Sequence, residues 1–108
     1  MISTEGFNEV IHSPHRLRIC VMLAAVDSMM FSAIREELDV SDSTLSKQLS
    51  ALSDSDYVKL SKPTGTGGRP VTWVSLTQSG RKALHQHLAA LERLAAIAQS
   101  TAADSRIN

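Results

Sequence analysis

The sequence predicts a mainly α-helical domain with a small β-hairpin, its elements in the order α-α-α-β-β-α. Three observations carry that prediction. Apolar residues recur at helical spacing through three stretches before residue 56. The period then changes to alternation in "YVKLSK" and to a β-branched and aromatic run in "VTWVSL". Helical spacing returns after Thr77 and holds to about Ala98.

The first helix is expected over residues 14–26, with Ser13 as N-cap and Pro14 at the first helical position. Leu17, Val21, Ala24 and Ala25 share one face, and Ile19, Met22 and Val26 widen it. A shorter amphipathic piece from Phe7 to His12 precedes it as a separate helical turn or short helix. Ser32, with Glu36 nearby, opens a second helix over about 32–39, whose apolar side is Phe31, Ile34 and Leu38. Ser41 or Asp42 caps a third helix running to about Asp54, and Leu45, Leu49 and Leu52 form one stripe along it. Two strands flank "SKPTGTGGRP", which becomes a hairpin turn. Thr77 caps the last helix over about 77–98, and the polar residues 99–108 read as a frayed, flexible tail. Two short tandem helices followed closely by a hairpin make a helix-turn-helix with a wing.

At 108 residues, with 43% apolar and 20% charged side chains, the chain fits one globular domain. Cys20 is the single cysteine, which excludes an internal disulfide and any CxxC motif. No targeting segment is read in the first dozen residues, and the apolar run from Ile19 to Val26 is too short to span a bilayer. A cytoplasmic protein with no membrane partner is expected. The net charge is zero, but residues 1–56 hold nine acids against four bases, and residues 57–108 hold seven bases against two acids. Such asymmetry is suggestive of a charged partner or is chance scatter.

On a wheel of about 100° per residue, Ser43, Ser50 and Lys47 of the third helix lie roughly 140–200° from Leu45. Small hydroxyls permit close approach and bond to base edges or phosphates, and Lys47 adds a cation, so this face suits a DNA major groove. An ordinary solvated face is the alternative. The glycine stretch has no helix after it to hold a phosphate, so a dinucleotide or P-loop reading fails on context. Its glycines instead permit positive φ at a hairpin tip, with Arg69 near that tip and Lys59 and Lys62 on the preceding strand. A cationic tip suits a minor groove or the adjacent backbone.

The segments "HSPHRLRI", "FSAIREELDVSDSTLSKQLSAL", "YV", the Gly/Arg wing and "LTQSGRKAL" occur in an order and spacing that resembles small bacterial transcriptional regulators of the MarR/ArsR-like winged helix-turn-helix type. The resemblance covers about three quarters of the chain. It implies sequence-specific binding of double-stranded DNA by a homodimer, with Ser43, Thr44, Ser46, Lys47 and Gln48 on the recognition helix and Arg69 in the wing. Lys62 joins this set from the first wing strand. The sequence departs from the pattern at Asp56, where relatives often carry glycine; aspartate tolerates left-handed geometry better than most residues. Residues 1–98 are then one winged-helix DNA-binding domain that includes its dimerisation helix.

Leu84, Leu88, Leu91, Ala95 and Ala98 follow a heptad seam in the last helix, with Leu94 and Ile97 beside it. This surface suits dimerisation, and packing on its own domain is the alternative. His85 and His87 point about 200° apart and cannot share a metal within one chain. His12 and His15 could join a pH- or metal-sensitive site across a dimer, though surface or internally satisfied histidines are the plainer reading. Cys20 reads as a buried inert thiol. No paired carboxylates, nucleophile–base pair or metal cage points to an enzyme, a resident metal or a cofactor. The sequence is read as a repressor acting on a near-palindromic operator, with any small-molecule effector bound at the dimer interface. The alternative is a protein–protein interaction module built on the same winged helix without DNA binding.

Overall fold

The computed structural model describes residues 2–62 and 71–107, the last seven of these as backbone. Helix α1 spans Pro14–Ala24, strand β1 Met29–Met30, α2 Phe31–Leu38, α3 Asp42–Asp54, β2 Val58–Ser61, β3 Trp73–Leu76 and α4 Gln78–Ile107. The expected helices and hairpin are present, and the structure adds β1. The three strands form an antiparallel sheet in the order β1-β3-β2, with Met30 and Ser61 both opposite Trp73. A two-residue strand carries too little pattern to be seen in sequence.

Each helix boundary has a local cause. Ser13 adopts the extended N-cap conformation, but its hydroxyl makes no capping bond, and Pro14 sets the first turn. Helix α1 stops two residues before the expected Val26, and the Arg81 guanidinium donates to the Ala24 carbonyl at 3.0 Å. Positive side chains are favoured at such helix ends. The N-cap of α2 is Met30, the last residue of β1, so the expected Ser32–Glu36 start is not used. Instead the Phe31 N–H donates to the Thr72 carbonyl at 2.9 Å, tying α2 to the entry of β3. Asp39 closes α2 in the left-handed region at φ 55. Asp56 takes φ 62 in the turn before β2, the geometry that its place in the sequence requires.

Thr77 opens α4 and clips it to the preceding turn. Its hydroxyl accepts from the Gly80 N–H at 2.8 Å and donates to the Asp56 carbonyl at 2.6 Å. Gly80 lies so close to Tyr57 that a Cβ would stand 2.1 Å from the Tyr57 carbonyl oxygen. The glycine in "LTQSGRKAL" is therefore a packing requirement. Beyond Gly80 no glycine or proline interrupts the sequence, and the helical backbone runs on to Ile107, past the expected end near Ala98. Residues 99–107, read from sequence as a tail, are thus helical.

The core gathers Ile19 and Leu23 of α1, Ile34 and Leu38 of α2, the three leucines of α3, Val58, Val74 and Leu84. Ile11, from the N-terminal segment, is also fully buried. Cys20 is buried, and burial pushes its thiol up to about 11, against a smaller opposing pull from the Arg16 charge. That thiol stays protonated and unreactive at neutral pH. No helix among the described residues is long and apolar enough to cross a membrane.

Candidate nucleic-acid interface

Helix α3 is held from inside and open outside. Leu45, Leu49 and Leu52 are at most 1% exposed, so the leucine stripe fixes which face turns outward. At the N-terminus the Ser41 hydroxyl accepts from the Thr44 N–H at 3.1 Å and lies 3.0 Å from the Thr44 hydroxyl and 3.2 Å from that of Ser43. Hydroxyls and unpaired N–H groups at a helix N-terminus form a site that suits a phosphate oxygen. Arg35 of α2 pairs with Asp42 at 2.7 Å across the helix-turn-helix corner. The pair raises the Arg35 pKa, first through the hydrogen bond and then through the Asp42 charge.

The outer face presents Ser43, Ser46, Lys47 and Ser50 to solvent, with Thr44 half-buried beside them. A groove of about 370 Å³ between α3 and β2 is lined by Ser46, Ser50, Phe31 and Leu60, so this face continues onto the strand. Lys59 and Lys62 are exposed there. Arg69 and the glycines of the hairpin tip lie outside the described residues.

Gln48 is placed differently. It is half-buried, and its amide oxygen accepts from Arg16 Nη1 of α1 at 2.7 Å. The Arg16 Nε also donates to the Val10 carbonyl. Gln48 therefore joins α3 to α1 and to the N-terminal segment. Nothing in the spacing of Arg16 signals this bond, because the partners are 32 residues apart.

The residues of the heptad seam divide. Leu84 is 2% exposed and belongs to the domain's own core, and Leu88 packs partly on that core. Leu91 and Leu94 are half-buried, and Ala95 and Ala98 are exposed. The positive C-terminal half of the sequence is partly structural, since Arg81 holds Ala24 and the Arg93 guanidinium donates to the Glu5 carbonyl.

The histidines also divide. His85 is exposed, whereas His87 is fully buried and meets His12 of the same chain, Nε2 to Nδ1, at 3.2 Å. His12 is therefore engaged within the chain, not with His15. Burial first, and the neighbouring His12 second, hold the His87 pKa below the usual imidazole value. Sequence reading missed this pairing, which links positions 75 residues apart. No group of three or more His, Cys, Asp or Glu among the described residues could hold a metal ion.

Tandem helices α2 and α3, with α3 packed beside a hairpin, define a winged helix-turn-helix. The chain belongs to the winged helix DNA-binding domain family, whose model matches residues 15–95. No curated protein matches it, but solved structures do. A transcriptional regulator homologue from Pyrococcus horikoshii is 26% identical with a TM-score of 0.74, covering 81% of this chain and 85% of that one. ZitR, a zinc-responsive MarR family member from Lactococcus lactis, is 26% identical with a TM-score of 0.61, covering 94% and 68%. YusO from Bacillus subtilis shares the fold at 24% identity and a TM-score of 0.66, covering 82% and 60%.

Proposed function

We propose that the chain is a transcriptional regulator that binds duplex DNA as a homodimer, with α3 in the major groove and the wing against the adjacent backbone or minor groove. The outward row of Ser43, Ser46 and Lys47, fixed by the buried leucines behind it, carries this reading. Thr44 and the α3 N-terminus supply phosphate contacts, Lys62 and Arg69 supply wing cations, and Gln48 acts through Arg16 to hold the helix. The partly exposed apolar part of α4 (Leu91, Leu94, Ala95 and Ala98) pairs with a second copy, and a twofold axis would match a near-palindromic operator. Repression follows if that operator overlaps a promoter. A small-molecule effector would bind beside α4 at the dimer interface, where a groove of about 510 Å³ opens between Glu5, Gly6, Gln86, Ala89 and Arg93.

Anisotropy titrations against promoter fragments, the chain's own included, test the reading. Salt-sensitive binding is expected, and its absence on every fragment sinks the proposal. Lys47→Ala should weaken binding about tenfold and make the salt dependence shallower by about one in log–log slope. Arg69→Ala should act in the same direction. One observation favours a second reading, a protein–protein module: α3 offers a single cation, and the net charge is zero. A stoichiometric protein partner captured without DNA binding would select it.

A further inference from the structure

The N-terminal segment, residues 2–12, buries Ile11 in the core and also meets the rest of the molecule through a small polar junction. The Asn8 backbone N–H donates to His87 Nδ1 at 3.0 Å. The Asn8 side chain donates to the Tyr57 hydroxyl at 2.8 Å and accepts from the Ile11 N–H at 3.0 Å. Phe7 packs against both imidazoles, tilted toward His12 and edge-on to His87, with ring centroids 4.6 Å and 4.8 Å away. Arg16 binds the Val10 carbonyl in the same turn and reaches on to Gln48 of α3.

The hydrogen bonds fix the protonation state. A backbone N–H can only donate, so His87 Nδ1 carries a lone pair. A neutral ring then holds its proton on Nε2, which donates to His12 Nδ1. His12 Nδ1 must also be unprotonated. Each imidazole thus has its basic nitrogen already occupied as an acceptor, and a proton added to either ring breaks one hydrogen bond. His12 is exposed, so that proton has a route in from solvent.

We propose that the His12–His87 pair is a proton-operated latch: one proton taken up loosens the hold of the Asn8–His12 turn on α4 and, through Arg16 and Gln48, the seating of α3. The second half rests on the DNA-binding reading above. Other contacts hold the same segment independently of the pair, Ile11 in the core and two cations on its backbone. Tyr57 meets the pair only through Asn8, and Arg16 and Arg93 grip backbone carbonyls of the segment. Among the described residues, His12 is the group whose charge acts on His87. The sign follows from the lowered His87 pKa. The latch is closed above the ordinary imidazole value, about 6.5, and opens as pH falls below it. Added positive charge alone would tighten DNA binding on acidification; the latch predicts the reverse.

The test uses the full chain. Imidazole nitrogen NMR at pH 7.5 should show His87 as the Nε2–H tautomer; the Nδ1–H tautomer overturns the proposal. Amide exchange at Asn8, corrected for intrinsic chemistry, should accelerate about tenfold between pH 7.5 and 5.5, the scale of one lost hydrogen bond, while Ile19 and Leu23 keep their protection. In His87→Gln, whose amide oxygen can accept from the Asn8 N–H and takes up no proton, the Asn8 acceleration should largely vanish. Unchanged exchange in the wild type, or an equal acceleration in the variant, overturns the latch. With a promoter fragment that binds at pH 7.5, affinity should fall at pH 5.5 in the wild type and hold in His87→Gln. A fall of equal size in both removes the link to α3. Absence of binding at every pH counts against the DNA reading, and tautomer and exchange then decide the latch alone.

Discussion

Helices α3 and α4 both carry leucines at regular spacing, yet they use them in opposite ways. In α3 the three leucines vanish into the domain, and the polar remainder faces out. In α4 the stripe begins inside at Leu84 and rises gradually to the surface, so that Ala95 and Ala98 are exposed. The periodicity is equally good in both. What differs is the body available to cover it: α3 is 13 residues long and lies across the core, whereas α4 is 30 residues long, about 45 Å at 1.5 Å per residue. An apolar seam reports that a face will be covered, and the length of the helix tells how much of that cover must come from elsewhere.

Substitutions along the two helices can break or sharpen this contrast. The largest effect is expected at Leu49→Ala, which should cost about 2–5 kcal/mol in chemical denaturation by opening a cavity under α3. Gly80→Ala, at the start of α4, forces a Cβ against the Tyr57 carbonyl and should cost about 1–3 kcal/mol. A loss below about 0.5 kcal/mol would mean that α4 can shift away from Tyr57 at little cost. Ala95→Glu should leave the domain's own stability within about 0.5 kcal/mol while shifting sedimentation toward the monomer; an unchanged sedimentation profile would remove this part of α4 from the interface. Asp42→Asn should be smallest, leaving the denaturation midpoint essentially where it was, because the pair with Arg35 is solvent-exposed.

Much of this architecture was legible because its causes are local. Ser41 caps α3, Thr77 caps α4, Asp56 turns left-handed, and each acts within a few residues of its own position. The outward face of α3 followed from the leucine stripe alone. Three features were not legible. Strand β1 forms because β3 offers it an edge, the Gln48 amide oxygen is claimed by Arg16 from another helix, and His87 meets a histidine at the far end of the chain. Such partners are chosen by tertiary packing and leave no periodic trace in the sequence. The last helix exceeded its expected length for a different reason: polar residues 99–101 look like a tail, but alanine and the lack of any breaker sustain helical backbone.

Trp73 is the chain's single tryptophan, set in the central strand opposite Met30 on one side and Ser61 on the other, and 36% exposed. The molecule therefore carries an intrinsic optical reporter at the root of its hairpin, far in sequence from the leucines that dominate its core. Emission from that one indole reads the environment of the sheet without a label, and a change in it on adding a ligand would localise the event to the wing side of the fold.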